Sequence, residues 1–352
     1  MDMEAHNEPV TDPVKVLVSD DSPTVCLMLT RMLEADPGIV VIGTAANGRD
    51  AIDKISRLKP DLVTMDVNMP VMDGIDAIEY IMAYCPLPVI VISSVVDAEF
   101  TTNAARALGA GAVDVLSKPT PDSLEDFEDI AEELREKIKL LSRVRVITHP
   151  RARLLDDERE QKARTNAGRE LVAIASSTGG PQALKHIVSS LPEDFNACIL
   201  IVQHIAVGFT DGLIEWLGFG SKIKVVKGRD GMALNPGEVV IAPDGLHMMV
   251  TNNNRIRLQD RYVPGPHMPS ADVLLESVAE VGGKKSMGII LTGMGHDGAA
   301  GIKAIHDKGG LTIAQDEETS VVYGMAKEAV KLGAVDKIAP LTDISRMIME
   351  QV

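Results

Sequence analysis

The sequence predicts an α/β protein made of two doubly wound parallel-sheet domains in succession. Three observations lead to this reading. Short β-rich runs alternate with helical stretches along most of the 352 residues, and such alternation marks parallel sheets covered by helices on both faces. Polar residues suited to chemistry fall at the ends of those runs, and in a parallel sheet these ends share one edge. Between the two series lies a segment, 143–169, rich in charges of both signs and poor in apolar residues. It reads as a solvated helical extension passing into a flexible linker.

Bulk composition narrows the function classes. The chain is 45% hydrophobic and 24% charged, ordinary for a soluble protein, and it is long enough for two cores. A formal charge of −16 argues against a nucleic-acid partner, because phosphate binding needs a basic face. The three cysteines, Cys26, Cys85 and Cys198, are far apart and form no CxxC. That spacing fits a reducing cytosol and neither disulfides nor structural zinc. The tail at 1–13 is acidic and polar, unlike a signal peptide. No apolar run reaches the roughly 18 residues of a membrane span. A cytoplasmic protein without membrane insertion is expected.

The first domain is expected over 14–142. Its strands are placed at 14–19, 40–45, 62–65, 89–92 and 112–116, with a last helix at about 122–141. Asp20 and Asp21 end the first strand, Asp66 the third and Ser93 the fourth, while Lys118 follows the fifth. Clustered carboxylates repel one another, and a hard cation such as Mg²⁺ would neutralise them through oxygen ligands. A carboxylate beside a metal, an ammonium and a hydroxyl could attack a phosphoryl donor and have the new charge stabilised. One aspartate at a strand end is often only a turn or cap residue. Turn chemistry does not explain the whole set.

The residues Val16-Leu17-Val18-Ser19-Asp20-Asp21-Ser22, Met65-Asp66-Val67-Asn68-Met69-Pro70-Val71-Met72-Asp73-Gly74 and Ser117-Lys118-Pro119 resemble a response-regulator receiver domain, which has a flavodoxin-like fold. The resemblance implies that Asp66 is the phospho-acceptor. It places Mg²⁺ on Asp20, Asp21 and Asp66 with the backbone carbonyl of Asn68, and gives Ser93 and Lys118 the switch positions. Many receivers carry an aromatic residue three before the lysine. Here Val115 stands there, so the signal is expected to travel by another route.

The second domain is expected over 170–352. It opens on an apolar run, 171–175, that leads through Ser176-Ser177-Thr178-Gly179-Gly180-Pro181 into a helix at 182–191. Such a turn gathers backbone N–H groups and a hydroxyl at a sheet's carboxyl end, where open α/β folds bind ligands. A serine N-cap on a glycine-rich turn would look the same. Further strands are expected at 197–202, 222–226, 238–241, 247–250, 286–292 and 311–314, with a helix at 299–308. Ser177, His204 and Asp297 then sit at strand ends.

A serine hydroxyl is a weak nucleophile until an imidazole takes its proton, and a carboxylate fixes that imidazole's tautomer. Triads occur in several chain orders, so Ser…His…Asp is admissible, although no G-x-S-x-G elbow is present. Spacing does not separate Ser176 from Ser177 as nucleophile. His296, adjacent to Asp297, ranks behind His204 as base; His186, His247, His267 and His306 lack as good a strand-end partner. A rival lies in Gly293-Met294-Gly295-His296-Asp297-Gly298, a literal G-x-G-x-x-G between a strand and a helix. Asp316, about 18 residues further on, falls near the ribose-binding acid of a dinucleotide fold. That reading leaves Ser177, Thr178 and His204 without a role.

Ile174-Ala175-Ser176-Ser177-Thr178-Gly179-Gly180, Gln203-His204-Ile205, Ile241-Ala242-Pro243, Pro269-Ser270-Ala271-Asp272-Val273-Leu274 and Leu291 to Ala299 around the glycine fingerprint are similar to the chemotaxis response-regulator protein-glutamate methylesterases. The resemblance implies a Rossmann-like hydrolase domain with Ser177 as nucleophile, His204 as base and Asp297 as its orienter. It adds the Met294 backbone N–H as an oxyanion donor, Thr178 as a helper, and no cofactor for hydrolysis. It further implies methyl-accepting chemotaxis receptors as substrates, a chemotaxis histidine kinase as phosphodonor, and a receiver that blocks the site until phosphorylated. Two other classes stay open: a phosphorylation-gated binding module that has lost turnover, and the dinucleotide enzyme. A transcription factor ranks last, since no basic helix-turn-helix follows the receiver.

Overall fold

The computed structural model describes residues 12–93, 98–118, 124–144, 170–260 and 267–352. Residues 1–11 of the expected tail and 145–169 of the expected linker lie outside the described residues. The chain divides into two compact units.

The first sheet holds β1 (Val14–Ser19), β2 (Ile39–Ala45), β3 (Leu62–Met65), β4 (Val89–Ser93) and β5 (Asp114–Ser117). Between them run α1 (Pro23–Glu34), α2 (Gly48–Leu58), α3 (Gly74–Tyr84) and α4 (Ala98–Ala110), and α5 (Leu124–Leu141) follows. The strand order β2-β1-β3-β4-β5 is the flavodoxin-like one, and the β1/β2, β1/β3 and β3/β4 pairs are parallel. Ser22, Asn47 and Asp73 begin the first three helices by accepting the N–H of Val25, Asp50 and Asp76. Each such cap contributes about 1 kcal/mol. The fifth strand starts two residues later than the sequence suggests. Ala112 turns its N–H back to the Ala107 carbonyl and so closes α4 instead of entering the sheet.

The second sheet begins with β6 (Leu171–Ser176), α6 (Gly180–Ser190), β7 (Cys198–Gln203), α7 (Thr210–Gly218), β8 (Lys224–Lys227) and β9 (Glu238–Ile241). A hairpin of β10 (His247–Thr251) and β11 (Arg255–Gln259) comes next, then α8 (Ala271–Gly282) and β12 (Ser286–Ile290). The chain closes with α9 (Ala299–Asp307), β13 (Leu311–Gln315), α10 (Met325–Lys331), β14 (Lys337–Ala339) and α11 (Leu341–Gln351). Seven strands pair in the order β14-β13-β12-β6-β7-β9-β8, all parallel. Both sheets are therefore the parallel α/β kind that the alternation predicts.

Strands buried on both faces read as unbroken apolar runs, and their period of two sorts the side chains. Leu171, Ala173, Ala175, Leu200 and Val202 pack on one face with α8, α9 and α10. Val172, Ile174, Ile199 and Ile201 pack on the other with α6, α7 and α11. Each fully buried Leu or Ile contributes about 1.5–3 kcal/mol. The β10–β11 hairpin is antiparallel and turns through 252–254, with Asn254 left-handed at φ 54. Its second strand and the three-residue β14 are absent from the sequence reading. Arg255-Ile256-Arg257-Leu258 carries only two apolar residues, and β14 is too short to show a period. No helix of the described residues is long and apolar enough to cross a membrane.

Helices α8 and α9 meet at Gly301. A Cβ there would lie 2.4 Å from Leu275 Cβ and 3.2 Å from the Asp272 Cα. Alanine is the better helix former by about 1 kcal/mol, yet the backbone contact cannot yield, and overpacking costs about 1–3 kcal/mol. Gly301→Ala is expected to lower the melting temperature of the seven-stranded unit. A rise in a thermal melt would show that the helices separate freely.

Candidate active site

Adjacent strands β12, β6 and β7 bring Asp297, Ser177 and His204 to the carboxyl edge of the second sheet. The chain winds from β6 towards β7 on one side and later adds β12 on the other. The crevice at this reversal is where open α/β sheets bind ligands. Ser176 and Gln203 are paired in the parallel register of β6 and β7, so Ser177 and His204 are the next residues on neighbouring strands. The ladder continues one step further: Ser177 N–H donates to the Thr292 carbonyl at 3.0 Å and His204 N–H to the Ser176 carbonyl at 2.9 Å.

Side chains separate the two serines. Ser176 is fully buried and gives its hydroxyl to Gln203 Oε1 at 2.7 Å. Gln203 Nε2 in turn donates to the Ser177 and His204 carbonyls at 2.8 and 2.7 Å. This amide ties the two strand ends together, and sequence reasoning passed over it although it sits beside His204. Ser177 lies against Gly293, where a Cβ would come within 2.7 Å of the Ser177 Cβ. Thr292 braces the next turn, donating its hydroxyl to the Thr178 carbonyl at 2.9 Å. Among the described residues no acceptor takes the Met294 N–H.

His204 Nε2 lies 2.8 Å from Asp297 Oδ2. Asp297 also accepts from Ser270 Oγ at 2.8 Å, Ala271 N at 2.7 Å and Asp272 N at 3.0 Å. These last donors form the N-terminus of α8, a natural seat for an anion. Burial alone would raise this carboxyl, but the His204 contact and the amides outweigh it and hold the group well below the usual aspartate range. An ionised Asp297 keeps the His204 proton on Nε2, a tautomer assigned from the hydrogen bond. The other nitrogen, Nδ1, is buried and has no partner among the described residues. It is thus a free lone pair.

Asp272 does for α9 what Asp297 does for α8. Its Oδ1 accepts the N–H of Gly298 at 2.9 Å and of Gly301 at 2.7 Å. Burial pushes its carboxyl up to about 6, with Asp297 adding like-charge repulsion against those two amide bonds. Buried His247 accepts the Ser270 N–H on Nδ1 at 3.1 Å, and burial holds its ring below the usual histidine value, against the pull of Asp297. His296 is exposed on the loop, whereas Asp297 beside it in sequence is buried. His306 lies on α9, 3.6 Å from Asp307 and Asp336. Asp316 accepts from its own Thr319 N–H and hydroxyl. None of the Asp272 and Asp297 amide contacts is visible in spacing, although Pro269-Ser270-Ala271-Asp272 contains all of their α8 members.

The first sheet carries its own polar edge. Asp20, Asp21 and Asp66 each offer a carboxylate oxygen, and these oxygens lie within 4.8 Å of one another. Lys118 Nζ bridges Asp20 at 2.6 Å and Asp66 at 2.9 Å. Burial raises the Asp66 carboxyl against the lowering effect of Lys118. For Lys118 burial pulls down, but hydrogen bonds to both aspartates win and hold its ammonium above the usual value. Ser93 ends β4 and is buried, while Val115 is buried within β5. An all-oxygen set with an adjoining exposed Asn68 has the hard-donor chemistry that Mg²⁺ takes.

A sheet of receiver order in one chain with a parallel α/β unit bearing a serine, an imidazole and a carboxylate defines a class, the response regulators with a hydrolase output. Comparison with known proteins narrows it. Residues 172–348 match the family described as CheB methylesterase, and residues 16–128 match the response regulator receiver domain. A protein-glutamate methylesterase/protein-glutamine glutaminase of Anaeromyxobacter dehalogenans is 43% identical over 340 residues, covering 96% of this chain and 97% of that one. One from Myxococcus xanthus is 39% identical over 340 residues, covering 95% and 96%. The crystal structure of the Thermotoga maritima CheB methylesterase catalytic domain superposes with a TM-score of 0.51 at 37% identity, covering 52% of this chain and 98% of that domain. The chain belongs to the CheB methylesterase family and carries a receiver domain.

Asp272→Asn keeps an oxygen for Gly298 and Gly301 and removes the repulsion from Asp297. A carboxyl whose folded value is raised loses stability as pH climbs from its unfolded value to its folded one. The wild type is therefore expected to lose stability relative to Asp272→Asn between about pH 4 and about pH 6. Paired urea titrations across that range check it; a constant difference would mean Asp272 titrates normally.

Proposed function

We propose that the chain hydrolyses γ-methyl esters of glutamyl side chains on methyl-accepting chemotaxis receptors and deamidates selected receptor glutamines, under control of phosphorylation at Asp66. The names of its full-length relatives support the activity. The observation that carries the mechanism is the His204–Asp297 bond at 2.8 Å, which leaves the His204 Nδ1 lone pair to serve as base for Ser177 at the end of the adjoining strand.

Ser177 Oγ attacks the ester carbonyl carbon as its proton passes to His204 Nδ1. Asp297 stabilises the imidazolium so formed. The Met294 N–H donates to the developing oxyanion, with Thr178 supporting that turn; one such donor contributes about 3 kcal/mol. His204 returns the proton to the departing methoxide, methanol leaves and Ser177 holds the acyl group. Water then attacks with His204 again as base, freeing glutamate and Ser177. A glutamine gives the same acyl-enzyme with ammonia as leaving group.

The receiver is proposed over 14–142, the catalytic domain over 170–352 and a linker between them. Asp66 accepts the phosphoryl group from a chemotaxis histidine kinase. Mg²⁺ held by Asp20, Asp21, Asp66 and the Asn68 carbonyl would offset the negative charge of that group. Lys118 and Ser93 then pair with the phosphoryl oxygens, and the Asp20–Lys118–Asp66 bridge rearranges.

Methanol release from methylated receptor membranes tests this reading. Ser177→Ala is expected to fall by at least about 10³-fold, and Asp297→Asn by a similar factor through the wrong tautomer. A small phosphodonor with Mg²⁺ is expected to raise release in the wild type and to have no effect in Asp66→Asn. Undiminished release from Ser177→Ala would end the serine mechanism.

A further inference from the structure

The reaction above uses one imidazole, yet two lie together at the site. The His267 ring stacks on the His204 ring with centroids 4.1 Å apart and planes 16° from parallel. We propose that His267 is a positioning residue that fixes the plane of the His204 ring, so that Nδ1 keeps one orientation through both proton transfers. The inference rests on His204 being the base.

A single hydrogen bond fixes a point and a direction, not a plane. Asp297 holds His204 at Nε2, and the ring can still swing about that anchor. Among the described residues no second hydrogen bond opposes the swing, because Nδ1 is without a partner there. The torsion that turns a histidine ring is also soft, with broad wells. A flat group against one face supplies the missing constraint. It also shields that face from water, and when the base takes a proton an aromatic face lies against the cation.

Backbone placement supports this role. His267 stands three residues before Ser270, whose hydroxyl donates to Asp297 at 2.8 Å and whose N–H donates to His247 at 3.1 Å. Residues 267–272 thus deliver the stacked ring and three of the four donors that hold Asp297. Both restraints on His204 come from one short stretch. The base and its carboxylate cannot drift apart without moving the start of α8.

Positioning acts on proton transfer and hardly on substrate binding, so the effect falls on kcat. In the full-length chain, His267→Ala is expected to lower kcat for methanol release about 10- to 100-fold, with KM within about threefold of wild type. His267→Phe keeps a flat ring without nitrogen and is expected to restore kcat to within about threefold. His267→Leu fills the space without a flat face and should resemble Ala, which guards against an Ala variant that does not fold. Melting curves confirm which variants are native. Unchanged kcat in both Ala and Leu overturns the proposal. So does a Phe variant as slow as Ala, since a ring nitrogen would then be the active feature, and so does a rise in KM alone, which marks a substrate contact. Ser177→Ala runs in parallel: turnover surviving there sinks the serine mechanism itself, whatever His267 does.

Discussion

Two carboxylates exchanged between two helices hold the catalytic edge of the second sheet together. Asp297 stands just before α9 and accepts the first amides of α8; Asp272, in the first turn of α8, accepts amides at the start of α9. The opening N–H groups of a helix have no partner inside it, and a carboxylate there gains charge-assisted bonds and the favourable end of the dipole. Placing two such groups close together makes them compete for ionisation. Asp297 has four donors, one of them the His204 ring, whereas Asp272 has two amides. Donor count decides the contest: Asp297 is held low and Asp272 is pushed up to about 6. The fold fixes which acid stays charged next to the imidazole.

The two sheets solve different electrostatic problems with the same topology. Each reverses its winding next to its first strand, at β1/β3 in one and β6/β12 in the other, and each opens a crevice at the carboxyl edge. In the first, three acids share the crevice and one ammonium bridges two of them, leaving a site short of positive charge. In the second, the carboxylate beside the imidazole is surrounded by four donors. A cation-hungry edge suits capture of a phosphoryl group with its metal. An edge with one committed anion and one open imidazole nitrogen suits proton transfer.

The parts legible in the sequence are those in which a local pattern and a tertiary role coincide. Strands β1, β3 and β9 are readable to the residue because each is built on a short, fully buried apolar run, Val16–Val18, Leu62–Val63 and Val239–Ile241, as a sheet covered on both faces requires. The polar residue that stops each run falls on the edge, so Asp20, Asp66, Ser177 and His204 stand out together. Strand β11 and β14 do not, since edge and three-residue strands need no such run. Gln203 and Asp272 are harder still. Their importance lies in whose amide or carbonyl each one meets, across 26 or more residues of chain. The choice between Ser176 and Ser177 turns on the same point: only the Gln203 contact takes one hydroxyl out of consideration.

The glycine fingerprint at Gly293-Met294-Gly295-His296-Asp297-Gly298 shows what a string of letters leaves out. A dinucleotide site needs unoccupied amides at the start of the following helix, aimed at a pyrophosphate. Here the Gly298 and Gly301 amides are bound to the Asp272 carboxylate, so an internal anion already fills the place of the phosphate. Asp297, inside the fingerprint, would add a second negative charge against any pyrophosphate. The same glycines have a different physical purpose. Gly293 lets Ser177 come close, its absent Cβ lying within 2.7 Å of the serine Cβ. Gly298 turns the chain at a positive φ of 94, which hands Asp297 to α8 before α9 begins. A motif that elsewhere cradles a ligand's charge serves in this chain to seat the protein's own.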